Sequence, residues 1–289
     1  MEQLDRNSHR IRVSLNGERE HWILLRGDVH HDNPSCDQAL EEKHLKQAKE
    51  RNAAIICNGD AFCAMQGKYD LRSNKSAVRP EHQCDDYLDS LVKTYADFLA
   101  PYAHQFALIG TGNHETGILK RHETNLTTRL VERLNTMTGS NIYAGSYTGW
   151  LKVSLKRGTP EKRQSVVTTN IWRTHGYGGG SAVTRGVPET SRRAVYLPDA
   201  DVVLSSHIHH EWTMPIQRMR ITTDGKVYQD EQMHIQLPTY KDSYKDGHSF
   251  GNWEVERGMA PRTKGAVWMV AKIKRHPVER VVCRYERAQ

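Results

Sequence analysis

No apolar run in this chain of 289 residues approaches membrane-spanning length, which argues against a helical membrane protein, and no membrane partner is expected. Residues 1–10 are polar and charged and lack the apolar stretch of a secretory signal. Cysteine is scarce. The five residues Cys36, Cys57, Cys63, Cys84 and Cys283 are an odd number without C-x-x-C spacing, which argues against a disulfide framework or a zinc knuckle and for free thiols in a reducing compartment. A cytoplasmic location is expected. No Pro/Gly/Ser-rich stretch divides the chain, and it holds no internal repeat or low-complexity segment. One domain over residues 1–289 is therefore expected, long enough to bury a substantial core. Lys/Arg-rich arms, zinc-finger spacings and RNA-recognition signatures are missing too.

What is present is a basic balance, 41 Lys and Arg against 34 Asp and Glu, with a net charge of +7 and a pI of about 9.1. Such a surface gathers phosphate-rich partners. Residues 11–15 alternate apolar and polar and read as an edge strand, while 22–26, 53–57 and 106–109 read as buried strands. Helices are predicted at 37–51 with Asp37 as cap, at 85–99 ending before Pro101, and at 118–137. Beyond residue 150 the pattern turns to strands, at 150–155, 165–172, 201–204, 214–222, 232–237 and 266–273, with Arg157-Gly158-Thr159-Pro160 as a turn. Strand–helix–strand alternation at the start of the chain predicts an α/β fold. Residues 239–264 form a long polar stretch, read as a lid, an oligomer contact or a solvated surface excursion.

Five short blocks stand where predicted strands stop: Gly27-Asp28-Val29-His30, Asn58-Gly59-Asp60, Gly112-Asn113-His114-Glu115, Thr174-His175-Gly176 and Ser206-His207-Ile208-His209. In an open α/β sheet the strand ends converge on one crevice, where ligands bind. There they would bring together Asp28, His30, Asp60, Asn113, His175, His207 and His209. Oxygen and imidazole donors in that number suit two divalent metals rather than one. The period-two spacing of His207 and His209 puts both rings on one face if the segment is an extended strand.

In order and in strand context these blocks resemble the calcineurin-like metallophosphoesterase family, whose pattern runs D-x-H, G-D, G-N-H-[E/D], a lone H and G-H-x-H. The resemblance covers roughly residues 24–210, with Ser206 where the last block usually has Gly. It implies a four-layer αββα sandwich of two packed mixed β-sheets flanked by helices. It implies that Asp28, His30 and His209 hold a first metal, that Asn113, His175 and His207 hold a second, and that Asp60 bridges the two. His114 would be the general acid, or a charged hydrogen-bond donor to the phosphate, oriented by Glu115 or by the backbone. The cofactors implied are two divalent ions, Mn²⁺ foremost, with Zn²⁺, Fe or Ni²⁺ as alternatives. A hydroxide shared by the two ions would attack phosphorus. The G-D-x-V-D-R-G of the protein-phosphatase branch is absent at Gly59-Asp60-Ala61-Phe62-Cys63, and the iron-binding Tyr of the purple acid phosphatases is not in its place. What remains resembles the phosphodiesterase or nuclease-like branch in its compact microbial or phage-encoded form, acting on a nucleotide or nucleic acid. The alternatives are a small-molecule phosphomonoesterase and a non-catalytic, metal-stabilised binding protein.

Around the blocks, Gly176-Tyr177-Gly178-Gly179-Gly180 reads either as a flexible connection or as backbone that approaches a phosphate; it is no P-loop. Tyr177, Gly178 and Arg185 are candidate substrate contacts, Tyr177 by stacking, and Arg192 and Arg193 are further basic candidates. His31 and His210 are expected beside the site rather than as ligands. Asp32 is a candidate to position His30 or substrate. His21, His44, His82, His104, His122, His234 and His248 are read as surface residues.

Overall fold

In chain order the strands are β1 (Glu2–Asp5), β2 (Ser8–Ser14), β3 (Glu20–Arg26), β4 (Ala54–Cys57), β5 (Phe106–Gly110), β6 (Tyr143–Gly145), β7 (Thr148–Arg157), β8 (Ser165–Thr174), β9 (Val202–Ser205), β10 (Trp212–Ile221), β11 (Val227–Gln236), β12 (Val267–Lys274) and β13 (Arg280–Arg287). The helices are α1 (Gln38–Glu50), α2 (Tyr87–Leu99), α3 (Asn113–His122), α4 (Leu126–Thr138), α5 (Glu189–Tyr196) and the single turn α6 (Trp253–Glu256). The structure is a computed structural model that describes residues 1–15, 19–66, 73–74, 77–157, 165–179, 181, 183–244 and 253–289, the side chain of residue 253 excepted.

β3, β4 and β5 are apolar along most of their length, as strands covered on both faces must be. They run parallel at the centre of a six-stranded sheet ordered β13-β12-β3-β4-β5-β6, with β12 and β13 antiparallel to their neighbours. The second sheet has seven strands in the order β1-β2-β7-β8-β9-β11-β10 and is also mixed. Alternation along β3 sorts the layers. Ile23 and Leu25 face the second sheet and pack with Ile171 and Leu204, while Leu24 faces the helices and packs with Leu45, Tyr95 and Leu130. Truncating one of these buried Leu or Ile side chains to Ala would cost about 2–5 kcal/mol. The other outer face is covered more thinly, by Leu197 at the end of α5 packing with Val203, Trp150 and Trp172. The layer order is the expected αββα, with a single short helix at the thin end.

Asp37 caps α1 as predicted, its side chain accepting from Leu40 N at 3.1 Å. The strand read at 11–15 belongs to β2 and is interior, because β1 pairs along its free side and becomes the edge. The helix read across 118–137 is two helices. Glu123 takes a left-handed conformation (φ 50°), and the Asn125 side chain then caps α4 by accepting from Thr128 N at 3.1 Å. The first of the two reaches back to Asn113, so the third block opens α3. β6, β13 and α5 carry no sequence expectation. Within 239–264, Thr239 and Tyr240 are fully buried, so that end of the stretch is core rather than a solvated excursion. His44, His82 and His234 are buried, contrary to their expected exposure. Gly158, Thr159, Pro160 and His248 lie outside the described residues. Among the described residues no helix is long and apolar enough to cross a membrane.

Candidate metal centre

All five blocks follow strand ends, those of β3, β4, β5, β8 and β9. The turns there are unusual. Asp28, His30, Asp60, His207 and His209 all have positive φ, at 48°, 51°, 49°, 79° and 55°. Side chains avoid this region, and each such residue costs about 1–3 kcal/mol that its surroundings must offset. Hydrogen bonds between the blocks supply that. Asp28 N donates to Gly59 O at 3.1 Å, His30 N to Asp60 O at 3.1 Å, and His207 N to Asp28 Oδ2 at 2.8 Å. The expectation of an extended strand under His207 and His209 is thereby corrected: residues 206–211 are a loop, and two left-handed residues aim the rings.

The seven expected ligand residues converge in two groups. In one, His30 Nε2 lies 3.3 Å from His209 Nε2, and Asp28 Oδ1 lies 3.6 Å from His209 Nε2. In the other, Asn113 Oδ1 sits between His175 Nε2 at 3.0 Å and His207 Nδ1 at 2.7 Å, and Asp60 Oδ2 is 3.1 Å from His175 Nε2. The ligand atoms of Asp28, His30 and His209 lie within 4.8 Å of one another, as do those of Asp60, His175 and His207. Asp60 Oδ2 is also 4.0 Å from His30 Nε2, so one carboxylate oxygen faces both groups. These residues fit divalent cations. Asp28 Oδ1 is buried without a hydrogen-bond partner, and converging imidazole nitrogens and carboxylate oxygens are the donors that divalent ions of this kind take.

The electrostatics agree. His175 Nδ1 donates to the Asn58 carbonyl at 3.0 Å, which turns Nε2 inward. Burial opposes a charge on this ring, but the Asp60 and Asp28 carboxylates outweigh it and raise its pKa to about 10. Asp60 is buried as well, and His175 and His114 nevertheless hold its carboxyl well below the usual range. The pocket therefore favours positive charge at its centre. Burial, together with the neighbouring His114, pushes His30 well below its ordinary value, leaving the neutral imidazole that binds metals.

Glycines and polar ties hold the frame. A Cβ on Gly112 would collide with the Asp60 side chain, and one on Gly59 (φ 96°) would lie 2.6 Å from His175 Nδ1. Ser206, the departure from the usual glycine, has a use: Asn58 Nδ2 donates to its Oγ at 2.9 Å and to Thr174 O at 2.7 Å. That hydroxyl fills the space where a Gly27 side chain would stand, at 2.5 Å. Asn58, quoted in the second block without a role, thus joins three blocks. Tyr147 is a further residue the sequence did not single out; its hydroxyl donates to Gly176 O at 2.5 Å and its ring meets His175 edge-on.

His114 stands at the rim, with Nε2 3.9 Å from Asp60 Oδ2 and its ring edge-on to His30. Its Nδ1 is 2.5 Å from the Cys63 carbonyl oxygen, so the backbone orients it. Glu115 serves elsewhere, accepting from Gly112 N at 2.7 Å, Phe62 N at 2.9 Å and Asp60 N at 3.2 Å. The Asp32 carboxylate is taken up elsewhere than at His30: it accepts from Cys63 N at 2.6 Å and Ala64 N at 2.8 Å, fixing the peptide that holds His114.

The remaining candidates divide. Tyr177 is exposed and its hydroxyl donates to Glu189 Oε2 at 2.7 Å, which ties it to α5. Gly178 has φ 79° and open space where a side chain would be, and Arg185 is exposed with its carbonyl accepting from Trp212 Nε1 at 2.8 Å. Arg193 is buried and donates to Ser205 Oγ at 2.5 Å, so it is structural, whereas Arg192 is exposed. His210 contacts Arg262 and is lowered to about 4 by partial burial and that guanidinium. His31 lies beside the site, hydrogen-bonded to Glu41 at 2.8 Å. His31, Cys36 and Glu41 are close enough to suggest a third cation group, but Arg26 Nη2 lies 2.5 Å from Glu41 Oε1 and already neutralises it.

A model of the calcineurin-like phosphoesterase family matches residues 21–211. Among solved structures, Vps29 of Entamoeba histolytica complexed with zinc is 12% identical at a TM-score of 0.37, covering 92% of this chain and 98% of that one. A conserved Streptococcus pneumoniae protein described as a predicted phosphoesterase is 10% identical at a TM-score of 0.32, covering 92% and 98%. GAP50, the anchor in the inner membrane complex of Plasmodium, is 12% identical at a TM-score of 0.44, covering 94% and 90%. No curated protein matches the chain.

Proposed function

The chain belongs to the calcineurin-like phosphoesterase family, and on that premise we propose that it is a binuclear metal-dependent hydrolase of phosphodiesters, with a nucleotide or nucleic acid as substrate. The observation that carries this reading is Asp60 Oδ2, which faces His175 at 3.1 Å and His30 at 4.0 Å and so stands between two donor groups. Asp28, His30 and His209 would hold one ion, Asn113, His175 and His207 the other, and Asp60 both. Bound there, two cations polarise water and the phosphoryl oxygens. The chain's own residues do the rest. Asn113 contributes an uncharged oxygen, so the donors do not fully neutralise the ions. His114, held by the Cys63 carbonyl, presents Nε2 to the leaving oxygen as general acid.

The diester preference is supported by the missing protein-phosphatase block and by the net charge of +7. A diester carries one negative charge and a second ester arm, which would run from the rim toward Tyr177, Gly178 and Arg185. The test is reconstitution with Mn²⁺ after chelation, then kcat/KM for an aryl phosphodiester against its monoester at one pH. A higher value for the diester is expected, and a clear monoester preference would overturn it. Binding to nucleic acid should weaken steeply with salt; salt-independent binding rejects that version of the substrate.

A further inference from the structure

The segment after β11 brings a lysine and a glutamate to the edge of the Asp28, His30 and His209 group. Its backbone is pinned there. Thr239 Oγ1 and Tyr240 N both donate to the Asp28 carbonyl, at 2.7 and 3.1 Å, and Lys241 N donates to Thr239 Oγ1 at 3.0 Å. Lys241 pairs with Cys36 in an isolated bridge, and Asp242 N donates to Ser35 O at 2.8 Å. From this fixed base the Lys241 side chain, 18% exposed, brings Nζ to 3.6 Å from Glu254 Oε1. The same oxygen lies 3.8 Å from His209 Nδ1, on the ring whose Nε2 faces Asp28 and His30.

Lys264, from the same segment, is a useful contrast. Its ammonium contacts Asp242 at 2.7 Å and Asp37 at 2.8 Å and is saturated by two carboxylates. Among the described residues Lys241 has one carboxylate partner, beyond hydrogen-bond length and shared with a histidine. A mostly buried ammonium beside a site for two dications is unfavourable unless an anion binds against it. A carboxylate behind a metal-binding imidazole, in turn, fixes the ring and raises its basicity.

We propose that Lys241 is a specificity-determining residue whose ammonium binds a non-bridging phosphoryl oxygen of the substrate, and that Glu254 is a positioning residue for both Lys241 and His209. The inference rests on the phosphoester reading above, though not on its preference for diesters.

Inorganic phosphate is the probe. Wild type, Lys241→Met, Lys241→Arg and Glu254→Gln are compared for Mn²⁺ content, for Mn²⁺ affinity by titration calorimetry without substrate, and for the phosphate dissociation constant of the loaded protein. Lys241→Met should keep two ions and bind phosphate about tenfold or more weakly, the loss of one charge-assisted hydrogen bond. Lys241→Arg should keep most of the affinity. Glu254→Gln should bind Mn²⁺ about 10- to 100-fold more weakly. Unchanged phosphate affinity in Lys241→Met, or loss of its ions, overturns the role of Lys241; unchanged Mn²⁺ affinity in Glu254→Gln overturns that of Glu254. A wild-type protein that binds phosphate through Lys241 yet hydrolyses no phosphoester would sink the proposed function, and with it the substrate role of Lys241, while leaving Lys241 as a phosphate-binding residue.

Discussion

The Nδ1 atom of His114 meets the Cys63 carbonyl oxygen at 2.5 Å. A carbonyl only accepts, so the ring donates there and its Nε2 is left for the reacting centre. Asp32 holds the peptide of that carbonyl by accepting from Ala64 N, and the preceding peptide by accepting from Cys63 N, so the ring is braced through the Asp32 carboxylate. A second proton on Nε2 makes the imidazolium a general acid must be, and the Cys63 carbonyl stabilises that cation.

His114→Ala is therefore expected to retain both metal ions and lower turnover by about 10² to 10⁴. The loss should shrink for substrates whose leaving groups need little protonation. Metal analysis beside kinetics on a leaving-group series checks this. A variant that lost its ions, or that turned over poor leaving groups at the wild-type rate, would contradict the assignment.

Asp60→Asn is expected to weaken both ions together, because Oδ2 faces His30 and His175 and an amide oxygen carries no charge to share between two cations. Metal titration of the variant should reveal two weakened sites. One intact site with wild-type affinity would mean that Asp60 serves a single ion.

Much of this centre was legible in the sequence, and the part that was not has physical reasons. The blocks could be read because metal-binding residue types stand beside glycines at strand ends, and Gly59 and Gly112 are there for want of space. The left-handed turns at Asp28 and His207 could not, since they depend on the bond from His207 N to Asp28 Oδ2, across 179 positions of the chain. Lys241 and Glu254 lie in a stretch without periodicity and acquire meaning only because Glu254 meets His209 and Lys241 meets Glu254. The break at Glu123 is hidden because apolar residues continue at helical spacing on both sides of it. Histidines such as His44 look polar in sequence, and their burial is decided by distant partners such as Tyr240.

That burial makes a prediction about pH. His44 Nδ1 lies 2.9 Å from the Tyr240 hydroxyl, and burial, helped by the Arg26 charge, lowers its pKa from 6.5 to about 4. Between those values the unfolded chain binds the extra proton more readily than the folded one. The contribution is thus complete above about pH 6.5 and is lost as pH falls toward 4, at up to about 1.4 kcal/mol per pH unit. His44→Asn should be less stable at neutral pH but lose stability more gently below pH 6.5. Urea unfolding of both proteins in chelator, at several pH values, isolates this residue, because every other histidine titrates alike in the two. Parallel curves would show that His44 is not the group responsible.

Gly112 offers the sharpest separation of site from fold. Its φ of −110° is open to any residue, so backbone strain does not demand glycine here. Space does: an added Cβ would run into the Asp60 side chain and lie 2.4 Å from Asp60 N. The intruding methyl must push Asp60 aside, and with it the carboxylate that His114 N donates to at 3.0 Å. Overpacking of this kind costs about 1–3 kcal/mol, which a domain of this size tolerates. Gly112→Ala is therefore expected to fold, with a melting temperature in chelator a few degrees below wild type, while its Mn²⁺ affinity and turnover fall together. Circular dichroism melts and metal titration on the same preparation check both halves. A variant that folds and binds two ions as tightly as wild type would mean that Asp60 can move without loosening the centre, and the bridging position assigned to it would have to be abandoned.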